Sequence, residues 1–288
     1  VLRVFCLLEV MLTRQSNMRN ILQHSMRLSW ANGASERRSP HRVRRMEASE
    51  AAAGQIVDSR LGYAAAFDRL FERGREAVLA GTHYCDTPPV EGGRWGLSVV
   101  FQPDSACAAR LAAVTAEALA VAGASHWPTG APGAVHFTVR AIEAHRAVVP
   151  EDDPLVMRCA AALQRAASKS RMVRLRLDGL TLTPSGVMAC AYPLDSAADE
   201  FAARLGEELS DDGWFEADFH RNIWYATLVH FIGPLEDPVD LVDWVAARRH
   251  LDLGEGVIEE AELLRFKFNG RQPVRAGLAA APLAAAVG

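Results

Sequence analysis

A chain of 288 residues, 50% hydrophobic and 23% charged, can build one large core or two smaller lobes, and that balance excludes wholesale disorder. The net charge of −4 hides an asymmetry: nine of the 31 basic and two of the 35 acidic residues fall in residues 1–45, leaving 22 basic against 33 acidic. So acidic a body excludes a long nucleic acid gripped along its phosphates, while a small phosphate ester in one pocket stays compatible. Five scattered cysteines (Cys6, Cys85, Cys107, Cys159 and Cys190) without CxxC spacing point to a reducing, cytoplasmic setting and no structural zinc. The early apolar run VFCLLEVML is interrupted by Glu9 and is too short to span a bilayer, so no membrane partner is expected.

In chain order, residues 1–45 contain SERRSPHRVRR, which no packed core can use. They read as a disordered arm, a presequence, or an upstream segment ahead of a true start at Met46. The last is favoured because MEASEAAAGQ opens on a plausible helix. Residues 46–92 form a helix and a loop. Ile56, Leu61, Phe67, Leu70, Phe71 and Val78 recur at helical spacing, and THYCDTPPVEGG follows with two prolines and two glycines.

Residues 93–288 form the main domain. WGLSVVFQP reads as a strand, and Asp104 caps a helix whose Leu111, Val114, Ala118 and Val121 make one stripe. The Gly/Pro loop HWPTGAPGA precedes the strand VHFTVRAIE. Val173, Leu175 and Leu177 alternate with Arg174 and Arg176, and LTLTPSGVMACAYP reads as a hairpin turning at Pro184-Ser185-Gly186. Ala198, Phe201, Leu205 and Leu209 predict a helix after an Asp195/Ser196 cap. The strand NIWYATLVHF, a helix from Pro238 and a strand around Glu262–Phe268 follow.

The chain repeats itself. VHFTVR leads into PEDDP and NIWYATLVHF into PLEDP, each with Asp at the N-cap and Pro in the first turn, and the strand motifs stand 89 positions apart. That period is too long for a solenoid and suits two related lobes. The expected fold is α+β: two pseudo-symmetric lobes whose antiparallel sheets face a central cleft, with helices outside and a further N-terminal helix.

Alternate strand residues share a face. His136, Thr138 and Arg140 therefore point one way, and Tyr225 and Thr227 point one way on their own strand. Hydroxyls and a guanidinium can donate to phosphoryl oxygens, and an imidazole can take a proton from water near neutral pH. By the same alternation His230, five residues after Tyr225, is expected on the opposite face. His220 is expected in the approach loop, and His126 and Trp127 on the border of the cleft.

A duplicated H-x-T motif on facing strands resembles the two-histidine (2H) phosphoesterase superfamily, which includes RNA 2′,3′-cyclic phosphodiesterases and proteins known as 2′-5′ RNA ligases. The likeness runs from about Trp95 to a C-terminal strand near Arg275. His136-Phe137-Thr138-Val139 matches the motif in full. Tyr225-Ala226-Thr227-Leu228 keeps the threonine and lacks the histidine. The resemblance implies a metal-independent phosphodiesterase that opens a cyclic or 2′-5′ linkage, without cofactor. His136 would be the base, Tyr225 an acid or phosphate anchor, and Thr138, Thr227 and Arg140 the phosphate donors. A phenol, with an ordinary pKa of ~10, is a poor base but can give a proton to a leaving alkoxide. The substrate would be a small nucleotide or an RNA end, and the internal duplication lets a monomer form the cleft. The alternative is a nucleotide- or RNA-end-binding relative without turnover. Structurally neutral readings stand beside these: threonine is a good strand former, His136 could be a core histidine, Arg140 could lie on a solvated rim, and Tyr225 could simply pack.

Overall fold

The computed structural model describes residues 61–217 and 221–284, which belong to one unit spanning residues 51–288. The expectations for residues 1–45, Met46, Ile56 and His220 fall outside the described residues. Helix α1 runs through residues 61–79. The chain then forms β1 (Ser98–Phe101), α2 (Ser105–Ala122), β2 (Phe137–Ala141), α3 (Pro154–Ala167), β3 (Val173–Thr183) and β4 (Gly186–Pro193). It continues through α4 (Ala197–Leu209), a 3-10 turn (Ser210–Glu216), β5 (Trp224–His230), α5 (Pro238–Ala246), β6 (Asp252–Ile258), β7 (Glu260–Phe268) and β8 (Pro273–Pro282).

Local chemistry starts the helices where the sequence predicts. Asp104 accepts a hydrogen bond from the Cys107 amide, Asp153 from Val156, and Asp237 from Val239 and Asp240; the last two precede a proline in the first turn. Before α4, Asp195 of the expected Asp195/Ser196 pair supplies the capping bond. Ser196 occupies the N-cap without a capping bond, and the Asp195 carboxylate takes the Ala197 amide instead.

Two four-stranded antiparallel sheets result, ordered β2-β1-β7-β8 and β5-β4-β3-β6. The sheets do not divide the chain into halves. The second takes four consecutive strands, whereas the first pairs β1 and β2 with β7 and β8 from the far end of the chain. β6 had no separate signal in the sequence, since DLGEGVI carries two glycines and no clean alternation. The repeated strands β2 and β5 are the equivalent edges of the two sheets, and they run beside each other.

The outer faces of both sheets merge into one core. Phe101 of β1 stacks on Trp224 of β5 at 5.4 Å and meets Phe201 of α4 at 5.0 Å. α2 is long and apolar enough to cross a membrane by length and composition; here it packs on β5 and β6 with Leu111, Val114 and Ala118 buried.

Helix α1 is the further N-terminal helix, and it lies against an inner sheet face. Thr181 of β3 pairs with Met188 of β4, and Met188 with Thr227 of β5, so these side chains share the inner face. α1 lies on that face: the Thr181 hydroxyl donates to the Phe67 carbonyl at 3.0 Å, and Phe67 meets Tyr192 edge-on at 5.6 Å. Gly74 allows the approach, because a Cβ there would come within 2.5 Å of the Leu182 carbonyl carbon.

Candidate active site

The first half of the site hangs from β2. Phe137 and Val139 point into the core, so His136 and Thr138 stand half-buried on the inner face. His136 lies one residue before the strand, and its Nδ1 is 2.7 Å from the Ala134 carbonyl oxygen. A carbonyl can only accept, so Nδ1 carries the proton and the lone pair of the neutral ring is on Nε2. The ring packs on Phe266 of β7, with centroids 5.1 Å apart. Burial pushes its pKa down to about 4, the Ala134 bond opposes this, and the nearby Arg275 and Arg221 guanidiniums add to the fall.

Arg275 reaches the site from β8, where it pairs with Phe266. Its Nη2 donates to the Pro132 carbonyl at 3.1 Å, Nη1 lies 4.0 Å from Glu262, and buried Nε and Nη1 have no hydrogen-bond partner among the described residues. Burial lowers its pKa, with Glu262 opposing.

The second half hangs from β5. Trp224 and Ala226 are buried, which leaves Tyr225 and Thr227 on the inner face. Arg221 lies against both Tyr225 and Glu216. Burial works against its charge, and Tyr225 and Glu216 raise its pKa on balance. Glu216 also accepts from the Ala141 amide of β2 at 3.1 Å, so one carboxylate ties β2 to the segment just before β5.

His230 is not on the opposite face. Cys190 pairs with Tyr225, Met188 with Thr227 and Gly186 with His230, while Leu228 is skipped. The extra residue is a β-bulge, and it restores His230 to the face of Tyr225 and Thr227. The loop before β2 holds it there. Trp127 and His230 exchange backbone hydrogen bonds of 3.1 and 3.0 Å, Gly130 donates to the Leu228 carbonyl at 2.8 Å, and Thr129 Oγ1 lies 2.7 Å from His230 Nδ1. Burial, then the charges of Arg94 and His136, hold the His230 pKa well below its ordinary value.

Trp95 closes this side. Its ring centroid lies 4.9 Å from that of His230 and 5.2 Å from that of Phe266. Its φ of 74° is left-handed, an uncommon and costly state for a bulky residue.

Of the residues singled out in the sequence, the structure gathers His136, Thr138, Tyr225 and Thr227 on the inner faces of two adjoining edge strands. Arg140, expected on their face, is turned to the helix side: Val100 pairs with Thr138 and Val99 with Arg140, so Val139 is bulged out of the register, and Arg140 Nη2 donates to the Gly213 carbonyl at 2.6 Å. Trp127 packs between Trp95 and Phe268, while His126 is buried and accepts from the Ile232 amide at 3.2 Å. Sequence reasoning missed Arg221, Arg275, Trp95 and the true position of His230. For Arg275 the available signal was strand pairing, which needs the topology; Arg221 and Trp95 lie outside the strands and reach the site through side-chain contacts.

No known family pattern and no curated protein sequence matches this chain. Among solved structures it is similar to TT0787 of Thermus thermophilus, at 18% identity over 66% of this chain and 99% of that one, with a TM-score of 0.48. It is similar to E. coli LigT in its apo form, at 12% identity over 66% and 98% with a TM-score of 0.46. A structure described only as a phosphoesterase gives 14% identity over 66% and 99% with a TM-score of 0.44.

Proposed function

We propose that this protein is a metal-independent phosphodiesterase of the two-histidine type, which opens a cyclic or 2′-5′ phosphodiester on a small nucleotide or an RNA end. The observation that carries the reading is His136, a neutral imidazole whose Nδ1–H is fixed on Ala134 and whose lone pair is on Nε2. In the hydrolytic direction Nε2 takes a proton from water, and the water oxygen bonds to phosphorus. One ring P–O bond breaks, and the departing ribose oxygen takes a proton from the Tyr225 hydroxyl. Arg221 beside the phenol favours the phenolate left behind; the phenolate then regains a proton from solvent, and His136 releases to solvent the one it took. Thr138 and Thr227 donate to the phosphoryl oxygens. Arg140, engaged with the Gly213 carbonyl on the helix side, is left out of the phosphate contacts. The same reading has the protein act as a cytoplasmic monomer without cofactor.

Tyrosine in the place of a second histidine supports one other reading, a nucleotide-binding relative without turnover. Hydrolysis of 2′,3′-cyclic nucleotides in EDTA separates the two, with His136→Ala and Tyr225→Phe alongside. Turnover lost in the His136 variant supports the enzyme. Binding without turnover, unchanged in Tyr225→Phe, supports the binding protein.

A further inference from the structure

Beside Tyr225 a cavity of about 160 Å³ opens between α1 and the second sheet. Leu70, Met188 and Ile223 make its apolar walls, Tyr225 lines it as well, and Asn222 and Arg221 supply polar groups. An apolar hollow with a few polar groups is the usual form of a small-molecule site. A cavity of roughly 150 Å³ accommodates benzene, so this one has the capacity for one planar ring. Tyrosine can stack on such a ring, and an asparagine amide can both donate to and accept from its edge. Tyr225 and Arg221 belong to the cavity and also to the cluster around His136. A ligand can therefore span both, with its phosphate at Thr138 and Thr227 and its ring in the hollow.

We infer that this cavity is a nucleobase site, with Leu70 of α1 as the wall that makes it. The inference rests on the proposed nucleotide chemistry of the neighbouring cluster. It assigns a role to α1, which belongs to neither sheet but lies on the inner face of one. Phe67 is buried and Gly74 sits against the Leu182–Thr183 backbone, which fixes the height of Leu70 over Met188.

The test is calorimetric, on the full chain, with cytidine 3′-monophosphate and ribose 3-phosphate as paired probes. The wild type is expected to bind the nucleotide at least tenfold more tightly than the ribose phosphate. Leu70→Trp fills the hollow and should remove that advantage. Leu70→Ala, which loses the wall with little demand on the fold, should cut it at least threefold. Equal affinity for the two probes in the wild type, or an advantage intact in Leu70→Ala, overturns the inference. Turnover of cytidine 2′,3′-cyclic phosphate in the same samples tests the underlying reading separately. Base-dependent binding without turnover removes the hydrolase and leaves the base site; turnover without base dependence does the reverse.

Discussion

The strands β2 and β5 are two versions of one device. Each is the edge of a four-stranded sheet, alternates core and inner-face side chains, carries a threonine on the inner face and leads to an Asp-Pro helix start. They differ in what accompanies the threonine. β2 carries an imidazole two residues before it, held by the local carbonyl of Ala134. β5 carries a phenol there, beside Arg221, and an imidazole three residues after it, turned inward by the bulge at Leu228. The lesson is that equivalent strands can bring a histidine to one cleft by unequal routes, so matching position by position understates what the second strand contributes.

Removing the imidazole of β2 is the largest break. His136→Ala should lower kcat by about 10³-fold, within the usual range for a general base, measured as cyclic-nucleotide hydrolysis. A change below tenfold would remove His136 from the chemistry. On β5, Tyr225→Phe should cost about 10²-fold in kcat if the phenol is the acid. Tyr225→His, which makes the strands alike, should retain more activity than the Phe variant; a His variant as slow as Phe would show that the strands cannot be made equivalent by identity alone. Thr138→Val and Thr227→Val should each cost about tenfold, the scale of one hydrogen bond to a charged group. A large inequality between them would mean that the phosphate leans on one strand.

The bulge can be attacked directly. A Cβ at residue 130 would overlap the Thr115 hydroxyl and press on Leu228 Cα at 3.0 Å. Gly130→Ala should therefore cost about 1–3 kcal/mol in chemical unfolding and disturb His230 more than His136, which histidine proton shifts can resolve. Acidity gives the mildest test. Both histidines have pKa values below the ordinary 6.5 in the folded protein, His136 at about 4. The unfolded chain binds protons first, so their neutral burial costs nothing above pH 6.5. Stability is lost as pH falls from there through about 4. The acid limb of kcat/KM should likewise stand near pH 4, and a limb at about 6 to 7 would place a solvated imidazole in the role of base.

Much of this was legible in the residues. Alternation, Asp-Pro starts and the Pro184–Gly186 turn mark β2, β5, α3, α5 and the β3–β4 hairpin, because each is written within a few neighbouring positions. His136, Thr138, Tyr225 and Thr227 followed from the period of two. What escaped depends on partners far along the chain. Arg275 acts through its pairing with Phe266 and its closeness to His136, and Arg221 through Glu216 and Tyr225. The inward turn of His230 depends on one skipped residue, where the Gly130 and Trp127 loop is bonded along the edge of β5. No local pattern in VHF announces that.

The first sheet closes only when both ends of the described chain meet, since β1 pairs with β2 on one side and with β7 on the other. During synthesis the four strands of the second sheet, residues 173–258, can assemble as soon as they emerge. β1 and β2 must wait as an unsupported pair, marginal by itself, until β7 delivers Phe266 and β8 delivers Arg275. Half of the cleft is thus a late event in the life of each molecule, and a chain broken off before residue 260 would have Tyr225 in its sheet and His136 without the strands that shelter it.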